Sequence, residues 1–182
     1  DLDLSPDTTR EIIGFSLIGA SLIFLLFSFG LAGKLGTILY SVIQMGIGWS
    51  SVTVPFILFY LGLSFIKPEK FEIRPATLIG IILFIISLSS LIHLLFSLNI
   101  SLAEVQRGAG GGYLGYGLAY VFNSFVGYLA SIIIFTAVLI SSILITFNTT
   151  TEKIMDKIKE MREDKERESK VVVNEPEDFK SE

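Results

Sequence analysis

The sequence contains no cysteine and only one histidine, His93, among 182 residues. The first absence excludes a disulfide framework, a thiolate metal site and a cysteine nucleophile. The second excludes a multi-histidine metal centre. Charge is also scarce, at 18% of residues against about a quarter in an ordinary soluble domain. Its distribution is more telling than its amount. Of the 32 charged residues, five fall in residues 1–11 and 19 in residues 148–182, leaving eight for the 136 residues between. A water-soluble core of that length needs charge on its outward faces, and this one has almost none. The net charge of −4 offers no basic footprint for nucleic acid. The one Gly-Lys pair, Gly33-Lys34, is followed by leucine and lacks the glycine spacing of a phosphate loop. No cofactor, metal or catalytic residue is expected.

What fills the chain is apolar: 51% of residues are hydrophobic and the mean hydropathy is +0.67. A helix crossing about 30 Å of hydrocarbon needs roughly 20 apolar residues. Four runs supply them, at Ile12–Leu31, Leu35–Ile66, Ala76–Leu98 and Tyr113–Phe147. The pattern predicts an all-α membrane protein with four transmembrane helices. The flank of the first run is net negative and no small-x-small cleavage site closes it, so it reads as a retained span rather than a signal peptide. The chain opens on Asp1 rather than methionine, and residues upstream of it are expected.

The second and fourth runs are too long. As straight helices their 32 and 35 residues would reach about 48 and 52 Å. Glycines interrupt both, at Gly46/Gly48 and at Gly127, where a helix breaks cheaply. Each run is therefore expected to split into a short interfacial helix (about 35–45 and 113–126) followed by a span (about 49–66 and 128–147). Trp49, Tyr113, Tyr116 and Tyr128 then fall near the headgroups, where amphipathic rings are favoured. Pro55 falls inside the second span and is expected to kink it. Gly48, Pro55 and Gly127 are the candidate hinges.

An offset of 79 residues aligns Gly33-Lys-Leu35-Gly36 with Gly112-Tyr-Leu114-Gly115. In the same register Leu39 meets Leu118, Val42 meets Val121, Gln44 meets Asn123, Gly48 meets Gly127 and Trp49 meets Tyr128. One hairpin per copy makes the halves parallel repeats rather than inverted ones. Lys67, Lys70 and Arg74 follow the second run, and Lys153, Lys157 and Lys159 follow the fourth. Only Lys34 and Arg107 lie on the opposite side. The positive-inside rule then places both termini in the cytoplasm. Three parts are expected: a tail over 1–11, a four-span domain over 12–147, and a charged helix and linker over 148–182. The stretch 152–182 holds 11 acids and 8 bases, so it is no polybasic clamp.

Arg10-Glu11-Ile12-Ile13-Gly14 opens the first span, and Gly33-x-x-Gly36 is followed by an apolar helix, Gly48, an aromatic and Pro55. With the string Gly111-Gly112-Tyr113-Leu114-Gly115, these residues resemble the four-helix membrane domain of FtsK/SpoIIIE DNA translocases over about residues 10–150. The resemblance implies a bacterial cytoplasmic membrane protein that tethers a hexameric, ATP-driven DNA motor at the division site. It further implies self-association, contact with other division proteins, and no direct nucleic-acid binding by this chain. The motor and its winged-helix reader are absent from the sequence, so no catalytic position carries over.

Among polar residues at membrane depth, Gln44 and Asn123 are candidates for an inter-repeat or inter-subunit clamp, or for amides bonded to local backbone. His93, near the outer end of the third span, is expected at the interface or bonded to a neighbouring helix. Ser16, Gly19, Ala20, Ser87, Ser89 and Ser90 read as packing residues. The Gly108–Gly112 run, with Gly115, reads as a flexible outer turn. Two rival functions remain: a small transporter or channel for an uncharged or lipid-like solute, and an intramembrane enzyme. The first would ordinarily need ionisable residues within the spans and the second a catalytic constellation at depth.

Overall fold

In a computed structural model of the chain, residues 5–31, 33–68, 74–97 and 99–147 are described. Their chemistry dictates where each helix starts. Ser5 caps α1 (Pro6–Ser28), its Oγ accepting from the Thr8 amide at 3.2 Å, with Pro6 at the first helical position and Asp7 in the first turn. The helix thus begins six residues before the apolar run, and part of the expected 1–11 tail is helical, because a capping signal outranks hydropathy as a start. Gly30, at φ +71°, ends it, with the Gly30 and Leu31 amides returning to Phe27 and Leu26.

The next run holds α2 (Gly33–Ile47), a 3-10 segment (Gly48–Thr53) and α3 (Val54–Ile66). Pro55 is the second residue of α3, where a missing amide costs nothing, and the Ser51 carbonyl is taken by the Val54 amide instead. The departure from α geometry therefore precedes the proline rather than occurring at a kink within the span. Pro75 opens α4 (Pro75–Phe96), and the short α5 (Leu102–Gln106) follows. After it come α6 (Gly112–Val126) and α7 (Tyr128–Phe147), separated by Gly127 alone. Four helical stretches are long and apolar enough to cross a membrane: α1, Gly33–Ile66, α4 and α7. The chain is a multi-pass membrane protein. A compact unit ends at Thr146. The helix and linker expected over 148–182 lie outside the described residues.

Packing inverts the soluble rule. Large apolar side chains such as Phe125 and Leu129 point outward, and serines fill the inside: Ser21, Ser50, Ser51, Ser87, Ser89, Ser90, Ser131 and Ser142 are all buried. Small residues let backbones approach where lipid already satisfies apolar surface. Several of these hydroxyls bond within their own helix, as Ser87 to Leu83, Ser90 to Ile86 and Ser131 to Gly127. Helix α1 lies along α3, where Gly14 and Gly62 face each other and Ser21 donates across to the Pro55 carbonyl at 2.8 Å. Helix α4 packs on α6, and Leu94, Ala119 and Phe135 form a small core where α4, α6 and α7 meet.

Candidate functional site

The most tightly built region joins the end of α2 to the loop before α6 and to the middle of α4. It starts from a backbone problem: the last carbonyls of a helix have no partner. At the end of α2 the Ile47 carbonyl accepts from the Ser50 hydroxyl. Ser89 of α4 lies 2.6 Å from Ser50 Oγ and 3.2 Å from the same carbonyl. Each hydroxyl has one proton, so Ser50 donating to Ile47 leaves Ser89 to donate to Ser50. Ser51 donates to the Tyr40 phenol at 3.1 Å.

Gly48 makes the turn possible, at φ +63°, a conformation that only glycine visits freely. A methyl there would sit 2.0 Å from the Gly110 carbonyl oxygen and 2.3 Å from the Gly112 nitrogen. The gap is closed by a backbone hydrogen bond, Trp49 N–H to Gly110 O at 2.7 Å. On the other side, methyls on Gly111 and Gly115 would lie 2.0 and 2.3 Å from the Ser89 carbonyl oxygen. Three chain segments therefore meet backbone to backbone in a glycine lock. The loop expected to be a flexible turn is buried and clamped, because its glycines are used for close approach as well as for turning. Gly115 lies in the first turn of α6 rather than in the loop.

His93 is buried, with its ring edge-on to Tyr116 at 5.4 Å, and its Nδ1 has no hydrogen-bond partner among the described residues. Gly110 packs directly over His93 and Ser97. Gln44 packs under Gly108, and no hydrogen bond joins its half-buried side chain to Asn123 among the described residues. Gly127 sits at φ +84° with open space where a side chain would point. Sequence reasoning placed Ser89 among the packing residues but missed its bond to Ser50. It also missed Tyr40–Ser51 and Ser21–Pro55. The glycine spacing signals that backbones approach, but not which glycine meets which.

Outside the spans, Ser101 caps α5, and the Glu104 carboxylate accepts from both the Ser101 amide and its hydroxyl at 2.9 Å. Those bonds, the backbone one first, hold the Glu104 carboxyl below its usual value of 4.5, with Arg107 adding a smaller attraction. Because the folded value is depressed, the stabilisation is present above the ordinary value and is lost as pH falls through the folded one. The Ser101 amide resonance is expected to titrate with a midpoint below 4.5, moving up in Ser101→Ala.

Four apolar spans and a lock made of backbone and hydroxyls define a polytopic membrane domain. The model of the 4TM region of DNA translocase FtsK/SpoIIIE matches residues 30–159. The chain belongs to that family, and the region it matches is the four-helix membrane part. The match takes in α2 through α7 and leaves α1 outside it. No curated protein and no solved structure matches the chain.

Proposed function

We propose that this chain anchors an FtsK/SpoIIIE-like DNA translocase in the bacterial cytoplasmic membrane, with both termini in the cytoplasm and the motor attached beyond the fourth span. The observation that carries this reading is an apolar helical domain of that family whose four spans hold no charged residue away from their ends. Such a bundle fixes position without offering a polar path. The domain is proposed to self-associate, as a hexamer in register with the motor, and to meet other division-site membrane proteins. It contributes to chromosome segregation without touching DNA itself. The part boundaries at 1–11, 12–147 and 148–182 belong to the same reading.

Within the domain, two parallel hairpin repeats are proposed, each second span preceded by an interfacial helix. Helices α2 and α6 support this: both have 15 residues, both start at a positive-φ glycine, Gly33 and Gly112, and both end before another, Gly48 and Gly127. Gln44 and Asn123, at equivalent places, are proposed as amides available to a neighbouring helix. Gly48 and Gly127 are proposed as the breaks that turn the interfacial helices into spans, with Pro55 as the hinge residue where the helix after Gly48 restarts.

A soluble reporter joined after Glu182 tests the anchor. It is expected to stay with the membrane through alkaline extraction and to resist protease added to spheroplasts. Release by alkali, or digestion from outside, would contradict the reading.

A further inference from the structure

Beyond the end of α4 lies a groove of about 390 Å³, lined by Leu95, Phe96, Ser97, Asn99, Glu104 and Tyr128 among others. That volume is within the range of ligand sites, about 300–1,000 Å³. Its depth follows from helix length. The 22 residues of α4 span about 33 Å, enough to cross the hydrocarbon, so residues just past Phe96 lie at headgroup level on one side of the membrane. Tyr128, the first residue of α7, marks the same level.

The lining is graded like an amphiphile. Leu95 and Phe96 are exposed toward the hydrocarbon, 47% and 70%. Asn99, Glu104 and Tyr128 supply oxygens above them. Both hydrogen bonds to Glu104 fall on Oε2, which leaves Oε1 without a hydrogen bond among the described residues and the carboxylate held in place by the cap.

We propose that this groove binds a phospholipid whose headgroup ends in a primary ammonium. The ammonium donates to Glu104 Oε1 and to the oxygens around it, and the acyl chains run down over Leu95 and Phe96. A trimethylammonium has no proton to donate to those oxygens, and one tyrosine is no aromatic cage for it. An anionic headgroup without an amine would meet the Glu104 carboxylate as a like charge. The site depends on α4 and α7 spanning the membrane, but not on which side this end faces or on the anchoring role.

The test uses the full chain in mixed micelles, with retained lipid counted by native mass spectrometry. Phosphatidylethanolamine is expected to be retained about tenfold better than phosphatidylcholine of the same chains, the worth of one charged hydrogen bond. Glu104→Gln keeps an oxygen for the Ser101 amide and is expected to remove the preference while leaving phosphatidylglycerol binding no weaker. Asn99→Ala, which leaves the cap untouched, is expected to reduce the preference in the same direction. Soluble phosphoethanolamine is expected not to displace the lipid. Equal retention of the two zwitterionic lipids, a preference that survives both substitutions, strongest binding of phosphatidylglycerol, or displacement by phosphoethanolamine would each overturn the proposal.

Discussion

Gly48→Ala is expected to lower the melting temperature of the detergent-solubilised chain by about 6–12 °C, corresponding to roughly 3 kcal/mol. Two independent terms add at this position. A β-carbon at φ +63° costs about 1–2 kcal/mol from local sterics alone. The same carbon would stand 2.0 Å from the Gly110 carbonyl oxygen and 2.3 Å from the Gly112 amide nitrogen. Both obstacles are backbone, so relief requires the loop to move away from the end of α2, at an overpacking cost of about 1–3 kcal/mol. That movement breaks the Trp49–Gly110 hydrogen bond, and Trp49, the sole tryptophan, reports it as a shift in emission. Gly111→Ala separates the two terms. Its neighbour Ser89 O would lie at 2.0 Å, yet its backbone carries no positive φ, so it is expected to cost only the overpacking share. Gly127→Ala gives the converse, strain at φ +84° and ψ 167° with open space, and should cost about 1–3 kcal/mol without moving Trp49 emission. Gly117→Ala, with nothing within reach and a helical backbone, should be neutral or mildly stabilising. If all four substitutions behaved alike, the glycine lock would be no more than a glycine-rich turn.

Gly62→Leu is expected to detach α1 from α3. A β-carbon at Gly62 would lie 2.9 Å from the Gly14 carbonyl oxygen and 2.7 Å from the Ile18 side chain. The Gly14 side mirrors it, with the Gly62 carbonyl oxygen at 2.9 Å. Ile18 can turn aside, but the carbonyl cannot, so a branched side chain must push the helices apart. Separation removes the Ser21–Pro55 hydrogen bond, worth about 0.6–2 kcal/mol within a membrane. Each span still satisfies its own backbone bonds, so helical content should hardly change. Circular dichroism alone would miss the event. The absence of native cysteine offers a cleaner readout: Ser21→Cys, buried against α3, should resist a maleimide in the parent chain and react fully in the Gly62→Leu background. Protection that persists in the double variant would mean that α1 is held by contacts other than this crossing.

Much of the architecture was legible from two quantities, charge distribution and run length. The eight charges between residues 12 and 147 leave no choice but a membrane, and overlong runs interrupted by glycine require breaks. The start of the last span at Tyr128 is recovered because Gly127 leaves the backbone no alternative. Other features could not be read because they depend on which segment meets which. Gly48 and Gly127 look equivalent in sequence, but one is wedged against Gly110 and Gly112 while the other faces open space. The serines of α4 look interchangeable, although Ser87 and Ser90 bond within their own helix while Ser89 reaches Ser50. Pro55 looked like a kink inside a span because hydropathy cannot see that the helix restarts at Val54. His93 gave no sign that it would be buried, since a lone histidine in an apolar run has the same pattern at an interface as in a core.

The central claim is that this bundle holds a position and conducts nothing. Its most direct test is the purified chain reconstituted into sealed liposomes, with self-association and the flux of small neutral and lipid-like solutes measured on the same vesicles. The account predicts an alkali-resistant, self-associating protein whose vesicles leak no faster than empty ones. Saturable flux that rises with protein density would contradict it and make the chain a transporter.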